Sequence, residues 1–162
     1  MNMGEVKVGI ADLNLVVYPE KIMTIGLGSC IGIALYDKTL KVAGLAHIML
    51  PDSTQFKNVT QPLKFADLAI PILIEKMLEK GCKKRGLVAK IAGGASMFNF
   101  SDKSMVSDIG SRNAEAVKKA LAKEGIPILA ENTGGNKGRT MILDSENGTV
   151  LLKIVGEGSI TL

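Results

Sequence analysis

CIGIALYDKTLKVAGLAHIML, residues 30–50, contains two apolar arms joined by a short polar break. The arms, residues 30–36 and 41–50, are apolar at nearly every position, which is typical of strands that are covered on both faces. The break Asp37-Lys38-Thr39 is too short for a crossover helix. We therefore predict that the two arms are neighbouring antiparallel strands of one hairpin.

The flanking segments predict further strands and two helices. Apolar residues at helical spacing predict helices over residues 64–80 and 109–124, and Pro71 is expected to kink the first helix or delay its start. Asn147-Gly148 predicts a two-residue hairpin turn of type I′. These patterns predict a single α/β domain over residues 1–162, with a mixed, largely antiparallel sheet. Its remaining strands are expected at 5–10, 15–18, 22–25, 87–91, 126–130, 139–143 and 149–155.

The composition excludes several classes of protein. Hydrophobic residues make up 46% of the chain and charged residues 22%, which is typical of a soluble folded domain. The net charge of +4 is spread along the sequence, and with 4% aromatic residues and no tryptophan we expect no nucleic-acid partner. No segment resembles a secretory signal or is long enough to span a bilayer, so we expect a cytoplasmic protein without membrane insertion.

Cys30 and His47 are the residues most suited to chemistry. In a symmetric hairpin centred between Lys38 and Thr39, paired residue numbers add to 77, as 30 and 47 do, so the two side chains are predicted to lie directly opposite on one face. His47 is the only histidine, and an adjacent imidazole can turn a thiol into a competent nucleophile for acyl chemistry. The alternative is a buried cysteine that fills space beside a satisfied core histidine.

The turn before Cys30 offers the other parts of such a site. Its glycines can aim backbone N–H groups at an oxyanion, with Gly28 and Ser29 as the candidate donors. Thr24 is a candidate for the group that orients the histidine. The turn lacks the dinucleotide and Walker fingerprints, and no cluster of ligands suits zinc, so we expect neither cofactor nor metal.

Three further features stay open at this stage. The glycine-rich stretches 93–96 and 133–136 are predicted either to form the rim of the site or to be tight turns after strands. Cys82 is predicted to be an exposed or half-buried bystander, and two cysteines so far apart in sequence predict no disulfide framework.

Five motifs make the chain resemble the CheD family, the chemoreceptor glutamine deamidases of bacterial and archaeal chemotaxis. The resemblance covers most of the chain in the family's order. The motifs are TIGLGSC at 24–30, AHIMLP at 46–51, AGGASMF at 92–98, IGSRN at 109–113 and TGGN at 133–136.

The resemblance implies a fold, a reaction and partners. The fold would be a three-layer α/β/α sandwich similar to the deamidating domain of cytotoxic necrotising factor, and Cys30, His47 and Thr24 would form the site. The thiolate would attack the side-chain amide of a glutamine in the cytoplasmic helices of a methyl-accepting chemotaxis receptor, and ammonia would leave. A CheC-type phosphatase would be a second partner.

Two rival functions remain open. The chain could be a regulatory binding module that stimulates a CheC-type phosphatase with an idle thiol. It could also be a related thiol hydrolase, such as a receptor methylesterase, which differs only in the leaving group.

Overall fold

The computed structural model describes residues 5–96 and 108–162, which form ten strands and two α-helices. The helices are α1 (Ala66–Glu79) and α2 (Ile109–Lys123). The strands are β1 (Glu5–Val8), β2 (Asp12–Val17), β3 (Lys21–Leu27), β4 (Ile31–Asp37), β5 (Val42–Ile48), β6 (Val88–Gly93), β7 (Ile128–Thr133), β8 (Arg139–Asp144), β9 (Val150–Ile154) and β10 (Gly158–Thr161).

The strands form two five-stranded sheets. The first has the order β1-β3-β8-β9-β10 and the second the order β2-β5-β4-β6-β7. Each sheet contains one parallel pair, β1 with β3 and β6 with β7, while its other pairs are antiparallel. The predicted α/β class with mixed, largely antiparallel pairing is therefore confirmed.

The second sheet is the middle of three layers. Along β4, Ile33 and Leu35 pack with residues of α1 and α2, whereas Ala34 and Tyr36 pack with residues of the first sheet. Both helices therefore cover one face of the second sheet, and the first sheet covers the other. The layer order is sheet, sheet, helices, which differs from the α/β/α order that the family resemblance implied, because β3 and β8 pair with each other in a separate sheet.

The central hairpin is buried as its sequence predicts. All residues of β4 and β5 are buried, because one face of the hairpin meets the helices and the other meets the first sheet. Both helices lie within two residues of their predicted bounds, and α1 continues through Pro71. No helix in the described part of the chain is long and apolar enough to cross a membrane.

The two-residue turn predicted at Asn147-Gly148 is wrong. Leu143 pairs with Val150, so the connection between β8 and β9 is longer. Within it the N–H of Gly148 donates to the carbonyl of Asp144 at 2.8 Å, and the side chain of Asn147 accepts from the N–H of Thr149 at 3.0 Å. The hairpin itself forms, but around a loop closed by side-chain hydrogen bonds.

Candidate active site

The register of the central hairpin differs from the predicted one. Ile31 pairs with Ile48 and Gly32 with His47, so paired residue numbers add to 79 and Cys30 does not lie opposite His47. The cause is the turn. The carboxylate of Asp37 accepts hydrogen bonds from the N–H groups of Thr39 and Leu40, at 2.9 and 3.0 Å, which makes a four-residue turn centred one position later.

Cys30 and His47 nevertheless share a face of the sheet. A change of two in the register sum preserves the alternation of side chains, whereas a change of one would have reversed it. Cys30 accordingly packs against the core between the two sheets, which includes Ala34 and Leu45. If this register continued one residue beyond Ile31, Cys30 would be a diagonal neighbour of His47. The α-carbons of diagonal neighbours in a sheet are about 7–8 Å apart.

A chain of two hydrogen bonds fixes the imidazole of His47. The hydroxyl Oγ1 of Thr24 lies 2.7 Å from the Nδ1 atom of His47 and 2.7 Å from the carbonyl oxygen of Val8. The hydroxyl has one proton, and the carbonyl can only accept, so that proton goes to Val8. Nδ1 must then donate to Thr24, which leaves Nε2 as the unprotonated nitrogen of a neutral ring.

Burial favours the neutral form of both side chains. His47 is fully buried, which lowers the pKa of its imidazole from 6.5 to about 4. Burial also raises the pKa of the half-buried Cys30 thiol, and the residue's own backbone N–H partly offsets this effect. Within the described residues, no hydrogen-bond partner reaches Nε2 of His47. The resting site therefore combines a protonated thiol with a free basic nitrogen.

The turn before Cys30 separates the two predicted oxyanion donors. The N–H of Gly28 donates to the carbonyl of Gly26 at 3.1 Å and is therefore occupied. The N–H of Ser29 is bonded to no acceptor in residues 5–96 and 108–162. Within the described ranges, Ser29 is therefore the one of the two candidates whose backbone N–H is unoccupied.

The first glycine-rich stretch supports the Cys30 turn directly. The N–H of Gly94 donates to the carbonyl of Cys30 at 2.9 Å, and the N–H of Ala95 donates to the carbonyl of Gly28 at 2.8 Å. Gly93 has a φ of +117°, and a β-carbon there would lie 2.1 Å from the Cys30 carbonyl oxygen. This close approach requires glycine at position 93. Met97 and Phe98 of the same family motif lie outside the described residues.

The second glycine-rich stretch lies against the first. The N–H of Gly134 donates to the carbonyl of Gly93 at 3.0 Å. The buried guanidinium of Arg139 donates to the carbonyl of Gly93 at 2.9 Å and also to those of Asn132 and Gly134. The structure thus places one glycine stretch on the Cys30 turn and joins the other to it through Arg139.

Sequence reasoning missed Arg139 and Asn113. Asn113 lies on α2, is fully buried, and donates to the carbonyls of Ser29 and Met49, both at 2.9 Å. A signal was present, since Asn113 stands four residues before Val117 on the apolar face of the helix and belongs to the IGSRN motif. Arg139 had a weaker signal, a charged residue at the start of an apolar strand.

Cys82 contrasts with Cys30. Cys82 is only 4% exposed, so its predicted exposure was wrong. Burial and the neighbouring Asp37 carboxylate raise the pKa of its thiol to about 11. Within the described residues, no group of three or more His, Cys, Asp and Glu side chains is placed to hold a metal ion.

The fold and this site define an α/β protein in which a free thiol and an oriented, neutral imidazole lie on one face of a buried hairpin. The model of the CheD family, described as "CheD chemotactic sensory transduction", matches residues 49–154. This chain belongs to the CheD family. A protein of Clostridium botulinum strain Eklund 17B, named "Probable chemoreceptor glutamine deamidase CheD", is 74% identical over 162 residues and the full length of both chains.

Other comparisons extend over most of the chain. A protein of Clostridium novyi strain NT, also named "Probable chemoreceptor glutamine deamidase CheD", is 66% identical over 158 residues and 98% of each chain. Among solved structures, the Bacillus licheniformis hypothetical protein YfiH is similar with a TM-score of 0.48 and 15% identity, over 75% of this chain and 50% of that one. The relatives, unlike the family-model match, cover the segment that contains Thr24, Cys30 and His47.

Proposed function

We propose that this chain is a protein-glutamine deamidase that converts side-chain amides of glutamines in chemotaxis receptors to glutamate, with Cys30 as nucleophile and His47 as base. The names of its relatives point to the substrate class. The observation that carries the chemistry is the hydrogen-bonded chain from Val8 through Thr24, which leaves a basic nitrogen of His47 on the face that Cys30 shares.

The first half of the reaction forms a thioester. Nε2 of His47 takes the thiol proton while the sulfur of Cys30 attacks the carbonyl carbon of the glutamine amide. The N–H of Ser29 donates to the resulting oxyanion, because it has no other acceptor in the described part of the chain. The imidazolium then gives its proton to the amide nitrogen, the C–N bond breaks, and ammonia leaves.

The second half restores the enzyme. Water attacks the thioester carbon while Nε2 of His47 takes one of its protons. The C–S bond breaks, glutamate leaves, and the proton returns to the sulfur of Cys30. Thr24 acts as a positioning residue in both halves, since its contact with Nδ1 keeps the reactive lone pair on Nε2.

The test uses the cytoplasmic fragment of a cognate receptor. The fragment is incubated with the wild-type chain, glutamine conversion is read by peptide mass spectrometry, and released ammonia is measured in parallel. We expect conversion by the wild type and none by Cys30→Ala. Cys82→Ala is the matched control, because it removes the other thiol, which packs in the core beneath the helices and not in the core that Cys30 contacts. Conversion that persists in Cys30→Ala would refute the assigned mechanism.

One observation favours the rival function, a regulatory module that binds a CheC-type phosphatase. Burial raises the pKa of Cys30 and lowers that of His47, so neither shift favours a thiolate–imidazolium pair at rest, and an unreactive thiol would show the same shifts. Pull-down with such a phosphatase that survives Cys30→Ala, together with absent deamidation by the wild type, would support the rival. Methylated receptor included in the same assay tests the methylesterase alternative, since methanol would then be released.

A further inference from the structure

Asn113 joins the two chain segments that leave the open end of the catalytic hairpin. One of its amide hydrogens goes to the carbonyl of Ser29, the residue before Cys30, and the other to the carbonyl of Met49, which follows β5. Because carbonyls only accept, the orientation of the amide follows from its two partners. A single planar group on α2 thus bridges the backbone beside the thiol and the backbone beside the imidazole.

The bridge lies where the strand ladder stops. The last pair between β4 and β5 is Ile31 with Ile48, so Cys30 and Met49 lie beyond it. Met49 donates its own N–H to the carbonyl of Lys64 at 2.8 Å and not to a carbonyl of β4. Among the described residues, no backbone hydrogen bond joins Ser29 or Cys30 to Met49. The spacing of the two segments therefore depends on contacts other than the ladder.

Packing of the helix does not explain an asparagine at this position. Asn113 is fully buried on the same face as Ala114 and Val117, which pack in the core between the helices and the second sheet. Its Oδ1 atom has no hydrogen-bond partner in the described part of the chain. A buried unpaired acceptor disfavours the fold, and an apolar residue would avoid it. The two donated hydrogen bonds are what an apolar residue could not supply.

We propose that Asn113 is a positioning residue that sets Cys30 and His47 at the separation their proton transfer requires. The proposal rests on the proposed function, because it assigns Asn113 a role in that reaction. A small misplacement of reacting groups costs about 100-fold in rate. Loss of the bridge should therefore lower kcat while leaving KM nearly unchanged, since Asn113 has no exposed surface with which to contact a protein substrate.

Asn113→Leu is the test variant and Val117→Ala is its matched control. Both change a buried side chain on the same face of α2, but only the first removes the bridge to the hairpin. We expect kcat for receptor deamidation to fall about 10- to 100-fold in Asn113→Leu, with KM within twofold, after correction for the folded fraction. Val117→Ala should keep the wild-type kcat. If Asn113→Leu does not fold, Asn113→Ala is measured in its place.

A second readout separates this proposal from the proposed function. Alkylation of Cys30 by iodoacetamide needs no receptor, and below the thiol pKa its rate depends on proton transfer to His47. We expect that rate to fall at least fivefold in the Asn113 variant and to stay constant in Val117→Ala. If the wild type deamidates no receptor, the proposed function fails and alkylation alone tests the bridge. Equal kcat and equal alkylation rates in the two variants would overturn the proposal.

Discussion

Protonation of the single histidine should destabilise the fold. Burial lowers the pKa of His47 from 6.5 to about 4. Between these values the unfolded chain binds one more proton than the folded chain, so the free energy of unfolding falls as pH falls. The stability that comes from the neutral ring is complete above pH 6.5 and is lost as pH falls through 4. At about 1.36 kcal/mol per pH unit, the loss reaches at most about 3 kcal/mol.

Two measurements check this expectation. Because His47 is the only histidine, its ring C2–H gives one NMR resonance that can be followed from pH 8 downward without assignment. Urea unfolding at each pH gives the free energy of unfolding for the wild type and for His47→Gln. The carboxylates contribute equally to both proteins, so the difference between the two pH profiles isolates the imidazole.

The opposite result has a clear physical meaning. A thiolate of Cys30 paired with an imidazolium would raise the pKa of His47 above 6.5, because an opposite charge favours the charged form. Stability would then be present at low pH and lost as pH rises through that raised value. A resonance that titrates at or above 6.5, or parallel stability profiles for wild type and His47→Gln, would refute the neutral resting pair.

Two further perturbations test the supports of the site. Thr24→Val should lower kcat about 100-fold, because the imidazole of His47 would no longer be held in the tautomer that leaves Nε2 unprotonated. Thr24→Ser keeps the hydroxyl and should retain most activity. Equal rates in the two variants would contradict the role of the tautomer. Gly93→Ala places a β-carbon 2.1 Å from the Cys30 carbonyl and should lower both Tm and kcat, whereas Gly125→Ala, with φ of +74° and open space around it, should lower Tm alone. Unchanged kcat in Gly93→Ala would refute the role assigned to that close approach.

The hairpin shows which part of the fold the sequence could predict. Continuous apolar runs predict two strands covered on both faces, and they are. The register was not predictable from the runs, because the turn is set by side-chain hydrogen bonds of Asp37 and by Lys41, a non-glycine residue with φ of +54°. The local sequence pattern therefore predicted the type of these two elements, whereas the side chain of Asp37 in the turn determines how the two strands align.

The division into two sheets was also beyond the sequence pattern. β3 leaves its neighbour along the chain, β4, and pairs instead with β1 and with the distant β8. Nothing in the strand's own residues encodes such a partner. The same limit applies to the site, because Asn113 and Arg139 act through backbone carbonyls far away in sequence, and a carbonyl has no residue-type signal.

Cys30 lies one residue past the end of the ladder between β4 and β5, whereas His47 lies inside it. His47 is held within β5, with Gly32 opposite and Thr24 on its ring. Cys30 lies outside β4 and is held by the carbonyl contact to Gly94 and, through Ser29, by Asn113. The proposed base is therefore fixed by the sheet, while the proposed nucleophile is fixed by loop and helix contacts. A diagonal relation separates the α-carbons of Cys30 and His47 by about 7–8 Å. The contacts of Gly94 and Asn113 then determine how closely the thiol approaches the imidazole. Substitutions at these contacts should therefore change the position of the thiol more than that of the imidazole.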